Sequence, residues 1–204
     1  MNQLQTAALI LAGLLVARAA SKGAFHPDMA AFPVNPERIT LHFGADYGAD
    51  YSERRLHRGL DVAPYPASFG ASVFAPVHGV VIRSGDSGGG YGRRVTIEET
   101  LNFNLQARDI NGIAQTVPAG SKVYWLLAHL RSEDVKQGDR VRAGQKVGEV
   151  GSTGHSYGAH VHVELRGFTY LGNYLLLNPL DYLTKRVGGL SSQLVWANQA
   201  VTNA

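Results

Sequence analysis

The sequence predicts an all-β domain, and three observations support this. The chain of 204 residues contains 24 glycines and 8 prolines, residue types that form turns and interrupt helices. It also contains many short runs of β-branched residues, such as residues 80–82, which are typical of strands. From residue 158 to residue 166, polar and apolar residues alternate strictly, which is the period of a strand. At this length, the chain is expected to form one well-buried domain with appendages.

Residues 1–21 contain an apolar run of twelve residues, 6–17. The last residue of this run begins the small-residue pattern Ala17-Arg18-Ala19. Twelve residues are too few to span a bilayer comfortably, and both the run and the small residues fit a cleaved signal peptide. Residues 1–5 carry no Lys or Arg. An uncleaved anchor that contacts a membrane, a virion-associated segment and a helix packed on the domain therefore stay open as alternatives.

The next segment, residues 22–38, has three prolines and no periodicity, which predicts a linker or an arm. Residues 39–44 then read as the first strand, and residues 45–55 as a polar loop. This loop contains Tyr47 and Tyr51. Loops at the rim of a sheet often carry substrate contacts, so the two tyrosines are candidates for contacting a peptide or supporting an oxyanion; ordinary solvent-exposed side chains are the alternative.

The main domain is expected to cover residues 39–184. Within it, residues 71–84 read as two short strands joined at 76–79. Residues 100–121 separate two strands and read as an insertion, of the size of a hairpin, that could narrow a cleft or bind a partner. Residues 185–204 are a C-terminal tail in which a short helix is expected around 190–201.

The composition limits the chemistry of any active site. The chain has no cysteine, so a metal ion would have to be held by His, Asp or Glu. A net charge of +3 gives a mild attraction for anionic surfaces such as a cell wall, but no dense basic stripe indicates nucleic-acid binding. The sequence also lacks the His-Glu-x-x-His pattern of other zinc hydrolases.

The alternating segment carries the first metal-site candidate. On a strand, His160, His162 and Glu164 project to one face, with neighbours ~6–7 Å apart, while Val161 and Val163 point to the core. Imidazole is a common metal ligand. The alternative is the polar face of an ordinary strand.

A second pair strengthens the metal interpretation. His57 and Asp61 are four residues apart, so on a strand they would again share a face. With His162 they would supply two nitrogens and one oxygen, the three-ligand set that leaves a fourth position of a zinc site open. His129, at the end of a hydrophobic run, and His160 would remain available for acid–base chemistry or for stabilising an oxyanion.

The sequence resembles the lysostaphin-type (LytM-type) zinc endopeptidases that cut peptide bonds in bacterial peptidoglycan. The resemblance rests on His57-x-x-x-Asp61, on Ala128-His129-Leu130 and on the block from Gly151 to Glu164. These blocks occur in the family's order, within residues 39–184. Ala159 stands where family members often carry Pro.

The resemblance implies a compact antiparallel two-sheet domain with an open active-site groove. It implies that His57, Asp61 and His162 bind one zinc ion per chain. It further implies that His129 and His160 are catalytic, without assigning which one is the base. Glu164 would orient a histidine.

The implied function is hydrolysis of the stem peptides or cross-bridges of peptidoglycan by an exported protein. Such a protein would be periplasmic, wall-bound or membrane-anchored, with an envelope or virion partner as a further possibility. Some relatives of this fold lack ligand residues and only bind the wall or activate other enzymes. A non-catalytic module is therefore the alternative.

Overall fold

The computed structural model describes residues 30–35, 38–46, 56–64, 68–86, 88–169 and 171–186. The strands of this part of the chain are β1 (Ile39–Leu41), β2 (Leu60–Val62), β3 (Ser72–Phe74), β4 (Gly79–Asp86), β5 (Arg93–Thr100), β6 (Leu105–Arg108), β7 (Ala114–Val117), β8 (Lys122–Ala128), β9 (Leu130–Glu133), β10 (Arg140–Val141), β11 (Lys146–Val150), β12 (Val161–Phe168) and β13 (Tyr174–Leu177). Its helix is α1 (Pro179–Arg186). Within these ranges, no helix has the length and apolar character needed to cross a membrane. The expected apolar segment 6–17 and the expected tail helix lie outside the described residues.

An antiparallel sheet of eight strands forms the body of the domain. Seven of its strands follow the order β1-β2-β12-β8-β5-β4-β10. The eighth, β13, pairs with the C-terminal half of β12, while β2 pairs with its N-terminal half. The prediction of an all-β domain is therefore confirmed.

The two central strands of this sheet, β12 and β8, form the middle of the core. Their register pairs Val163 with Leu127 and Leu165 with Trp125, and all four side chains are fully buried. Burying a side chain of this size stabilises a fold by about 1.5–3 kcal/mol. The apolar half of the alternating segment thus fixes which face of β12 points to the core.

A second sheet has three strands in the order β3-β11-β9. The chain passes from β8 in the large sheet directly to β9 in this smaller one, and the single residue between them is His129. The two strands expected within residues 71–84 are present as β3 and β4, but they do not pair with each other. β3 pairs with β11, whereas β4 pairs with β5 and β10, so Pro76 and its neighbours connect two sheets.

Between β5 and β8, the strands β6 and β7 form a hairpin that packs on helix α1. Arg108 in the hairpin makes an ion pair with Asp181 in the helix, at 2.8 Å. The helix itself was not predicted from the sequence. Its signal is Asn178-Pro179, because the Asn178 side chain accepts a hydrogen bond from the backbone of Leu180 at 3.0 Å, which is an N-cap, and proline favours the first helical position.

Candidate active site

The structure brings His57, Asp61 and His162 together. Asp61 lies in β2 directly opposite His162 in β12, so sheet pairing alone places these two side chains side by side. Each of the three residues offers one donor atom, and the three atoms lie within 4.8 Å of one another. The sequence predicts that His57 and Asp61 share a strand, and this is wrong, because β2 begins only at Leu60.

Gly59 explains how His57 approaches the strand pair without being part of it. A Cβ atom at this position would lie 2.5 Å from the carbonyl oxygen of Val163 and 2.7 Å from Cε1 of His162. Real Cβ atoms do not make such contacts with backbone. Only glycine therefore lets the chain pass this close to β12.

The hydrogen bonds of His57 and His162 show which ring nitrogen of each faces the centre of the site. Nδ1 of His57 lies 2.9 Å from the carbonyl oxygen of His42. Because a carbonyl only accepts, Nδ1 carries the proton and Nε2 is left as the donor atom for a metal. In His162 the arrangement is reversed, since Nε2 faces the carboxylate of Glu164 at 3.2 Å and Nδ1 faces Asp61 at 2.8 Å.

These donor atoms fit a metal ion. Nε2 of His57 lies 3.1 Å from Nδ1 of His162 and 3.1 Å from Oδ1 of Asp61, and the third separation is 2.8 Å. Tetrahedral zinc ligands at bond lengths of about 2.0–2.2 Å stand roughly 3.3–3.6 Å apart, so small shifts would complete the geometry. Two nitrogens and a carboxylate are also the ligand types that zinc accepts.

The electrostatics of the site favour a cation between these three side chains. Burial would raise the pKa of Asp61, but the short contacts of its carboxylate with the rings of His162 and His57 outweigh burial and hold that pKa well below its usual range. Burial would lower the pKa of His162, but its hydrogen bonds to Asp61 and Glu164 raise it to about 9. Positive charge, whether a proton or a metal ion, is thus stabilised at this position.

Behind His162, a buried polar network holds its ring in place. Glu164 is completely buried, and one of its oxygens accepts a hydrogen bond from the Tyr91 hydroxyl at 2.6 Å. Arg166 forms an ion pair with the other oxygen at 2.5 Å. Burial would raise the pKa of Glu164, but His162, Tyr91 and Arg166 together lower it to about 2. The carboxylate therefore stays charged and fixes the tautomer of His162.

His129 and His160 lie together on one side of the three candidate ligands, with ring centroids 4.8 Å apart. Nδ1 of His129 donates to the carbonyl oxygen of Thr153, and Nδ1 of His160 donates to that of Gly158, each at 2.8 Å. Nε2 of each ring consequently points away from these carbonyl groups, and Nε2 of His160 lies 3.5 Å from Oδ2 of Asp61. Burial lowers the pKa of His129 to about 4, so this ring is neutral at neutral pH.

His129 also has an unusual backbone. Its φ angle of 62° is in the left-handed region, which is disfavoured for residues with a Cβ atom. The strain occurs where the chain leaves β8 for β9, and the backbone N–H of His129 donates to the carbonyl oxygen of Tyr91 at 3.0 Å. The corner between the two sheets thus turns the imidazole toward the site.

An open cleft of about 620 Å³ gives access to these side chains. His129, His160 and Asp61 line it, and so does the loop of residues 155–158, in which Tyr157 is fully exposed. Tyr47 and Tyr51, the other substrate-contact candidates, lie outside the described residues.

Sequence reasoning missed Gly59, Tyr91 and Arg166. For Arg166 a signal was available, because it continues the series 160, 162, 164 on one strand face. For Tyr91 no local pattern exists, since its contact with Glu164 joins residues 73 positions apart.

Comparison with known proteins identifies similar sequences. The sequence profile of Peptidase family M23 matches residues 55–179. The chain is 35% identical over 145 residues to the DD-carboxypeptidase/endopeptidase Mpg of Neisseria meningitidis, which covers 71% of this chain and 27% of that protein. It is 30% identical over 149 residues to the murein hydrolase activator NlpD of Escherichia coli, covering 73% of this chain and 30% of that protein. The chain thus spans less than a third of these relatives.

Solved structures show the same fold. The catalytic domain of the prophage-encoded M23 protein EnpA from Enterococcus faecalis matches with a TM-score of 0.50 and 29% identity, over 73% of this chain and 94% of that domain. Lysostaphin from Staphylococcus simulans matches with a TM-score of 0.56 and 22% identity, over 81% of this chain and 57% of the other. With the profile match covering more than half of its residues, the chain belongs to Peptidase family M23.

Proposed function

We propose that this chain is a zinc-dependent endopeptidase that hydrolyses peptide bonds in bacterial peptidoglycan. The observation that carries the proposal is the convergence of His57, Asp61 and His162, whose donor atoms lie 2.8–3.1 Å apart. Three protein ligands are typical of catalytic zinc, because they leave a position for water or substrate. Two imidazoles without a ligand role lie beside them.

Three side chains of the site would hold the metal ion, and two others would transfer protons. His57, Asp61 and His162 would hold the zinc ion, which when bound supplies Lewis-acid polarisation of a carbonyl group and activation of water. His129 and His160 are the proton carriers, because each has Nδ1 held by a backbone carbonyl and Nε2 directed away from it. Nε2 of His160 lies 3.5 Å from Oδ2 of Asp61. We assign this role to the pair, since Nδ1 of each ring makes the same kind of hydrogen bond.

The substrate follows from the relatives and from the shape of the cleft. Mpg is named a DD-carboxypeptidase/endopeptidase, and NlpD a murein hydrolase activator, so both names refer to chemistry of the bacterial wall. The open cleft suits an extended peptide within a large polymer. We therefore infer that the protein works in the cell envelope on peptidoglycan peptides.

A second candidate function is activation of another wall hydrolase. The observation that favours it is the 30% identity to NlpD. Against it stands the presence in this chain of all five site residues, His57, Asp61, His129, His160 and His162. An activator needs neither a set of metal-binding donor atoms nor free imidazoles beside it.

The test is digestion of purified peptidoglycan sacculi by the full chain, with and without a zinc chelator. The released fragments are analysed by mass spectrometry. New peptide ends that appear only without the chelator would establish the activity and identify the bond. If no ends appear but the protein stimulates a separate murein hydrolase, the activator function is correct instead.

A further inference from the structure

Thr153 links the ring of His129 to both sheets of the domain. It is half-buried and lies in the segment 151–160, between β11 and β12. Its backbone carbonyl accepts the hydrogen bond from Nδ1 of His129 at 2.8 Å. Its hydroxyl donates to the carbonyl oxygen of Leu130 at 2.9 Å and accepts from the backbone N–H of Arg93 at 3.0 Å. These two residues begin β9 and β5, so one side chain ties the support of His129 to a strand of each sheet.

A neighbouring loop leaves Thr153 little space to move. Gly92 packs directly on it, since a Cβ atom at Gly92 would lie 2.5 Å from both the carbonyl carbon and Oγ1 of Thr153. The φ angle of Gly92 is 57°, which glycine adopts without strain. Two residues beyond Thr153, the backbone N–H of His155 donates to the carbonyl oxygen of Gly90 at 2.8 Å. Thr153 is therefore held by its own hydroxyl and by the backbone of residues 90–92.

The carbonyl group of Thr153 determines which nitrogen of His129 carries the proton. Since burial lowers the pKa of His129 to about 4, the ring has one proton at neutral pH. A carbonyl oxygen only accepts, so it holds this proton on Nδ1 and leaves the lone pair on Nε2. If the carbonyl group moved away, Nδ1 would lose its acceptor, and the orientation and tautomer of the ring would be free to change. The position of this carbonyl group therefore matters to any proton transfer by His129.

We propose that Thr153 is a positioning residue for His129: its hydroxyl fixes the carbonyl group that holds the imidazole, and so directs Nε2 for proton transfer. The proposal rests on the function proposed above, in which His129 carries protons. Threonine and serine can make both hydroxyl hydrogen bonds, because a hydroxyl group donates and accepts at once. Valine has the shape of threonine but can make neither. A misplacement of about 1 Å can slow an enzyme about 100-fold, so loss of the hydroxyl is expected to lower the rate of the chemical step.

Steady-state kinetics of the wild type, Thr153→Val, Thr153→Ser and Thr184→Val test this role. Thr184→Val is the matched control, because Oγ1 of Thr184 also donates to a backbone carbonyl, that of Leu180 at 2.6 Å, but within helix α1. With a soluble cross-linked peptidoglycan dimer as substrate, we expect Thr153→Val to lower kcat about 10–100-fold with little change in KM. Thr153→Ser should keep most of kcat, Thr184→Val all of it, and zinc content should be equal throughout. A kcat of wild-type size in Thr153→Val, or equal losses in Thr153→Val and Thr153→Ser, would overturn the proposal.

Nitrogen NMR of the histidine rings separates a failure of this proposal from a failure of the proposed hydrolysis. The full chain is isotopically labelled at histidine, and His129→Ala identifies the signals of His129. We expect the proton on Nδ1 in the wild type and in Thr184→Val, and a mixture of both tautomers in Thr153→Val. This shift would support the hold of Thr153 on His129 even if no peptide bond is cut. An unchanged tautomer in folded Thr153→Val would overturn the proposal, and so would a wild-type ring with its proton on Nε2, a result that needs no variant to fold.

Discussion

Glu164 accepts a hydrogen bond from Nε2 of His162, with the two atoms 3.2 Å apart. This contact turns the other nitrogen of His162 toward Asp61 and His57. Because Glu164 is buried and bound on its other side by Tyr91 and Arg166, it has little freedom to move. The orientation of a candidate metal ligand is thus set by residues that do not touch the metal position.

The first prediction concerns this contact. Glu164→Gln keeps the shape of the side chain but removes its negative charge, so it should weaken the hold on His162 and the ion pair with Arg166. Loss of such an outer partner typically lowers metal affinity or activity 10–100-fold. A competition assay against a chromogenic chelator would measure zinc affinity directly. Unchanged affinity in a folded Glu164→Gln protein would show that Glu164 does not position His162.

A second prediction concerns the close approach at Gly59. Gly59→Ala would place a Cβ atom 2.5 Å from the backbone of Val163, so β2 and β12 would have to separate. We expect a loss of about 1–3 kcal/mol in the free energy of unfolding, as for overpacking, together with weaker zinc binding. Gly158→Ala is the matched control, because a Cβ atom there meets nothing within 4 Å. Similar urea midpoints for the two variants would contradict the steric argument.

A third prediction separates backbone strain from chemistry at His129. Because its φ angle is 62°, glycine fits the backbone better than alanine does. His129→Gly should therefore be more stable than His129→Ala by about 1 kcal/mol. Both variants should lose activity at least about 100-fold, since neither can transfer a proton. Chemical unfolding and steady-state kinetics of the pair test this; if either variant kept wild-type turnover, His129 would have no part in catalysis.

A fourth prediction concerns Glu99, whose side chain accepts hydrogen bonds from Trp125 and Tyr182. Burial raises the pKa of Glu99 above its usual value of 4.5, although these two hydrogen bonds oppose the shift. The folded state thus binds the proton more tightly than the unfolded state, so stability from this group is present below about pH 4.5 and is lost as the pH rises through the higher folded-state pKa.

Glu99→Gln, which is neutral at every pH, should remove this contribution. The difference in unfolding free energy between the variant and the wild type should therefore shift in favour of the variant as the pH rises from 4 to 7. Urea unfolding at a series of pH values measures it. A difference that stays constant over this range would show that Glu99 titrates alike in both states.

The sequence predicted those parts of the site that depend on local periodicity. Alternation along β12 identified both its buried apolar face and the series His160, His162 and Glu164, because the period of two is a property of the strand itself. The residue types of His57 and Asp61, an imidazole and a carboxylate, also indicated metal ligands. Their convergence with His162 is found in the structure, although His57 does not lie on a strand.

What the sequence could not predict depends on contacts between distant segments. The need for glycine at position 59 arises only when β2 packs against β12. Likewise, the turn at His129 exists because β8 and β9 belong to different sheets, which no pattern within residues 122–133 indicates. Helix α1 is the exception, since Asn178-Pro179 is a local signal for the start of a helix.

The central claim is that His57, Asp61 and His162 hold one zinc ion, and elemental analysis of purified protein tests it most directly. We expect one zinc per chain in the wild type and in His129→Ala. We expect almost none in His57→Ala, Asp61→Ala or His162→Ala, with folding checked by circular dichroism. A His162→Ala protein that kept stoichiometric zinc would contradict the account, because the metal would then have to be bound elsewhere.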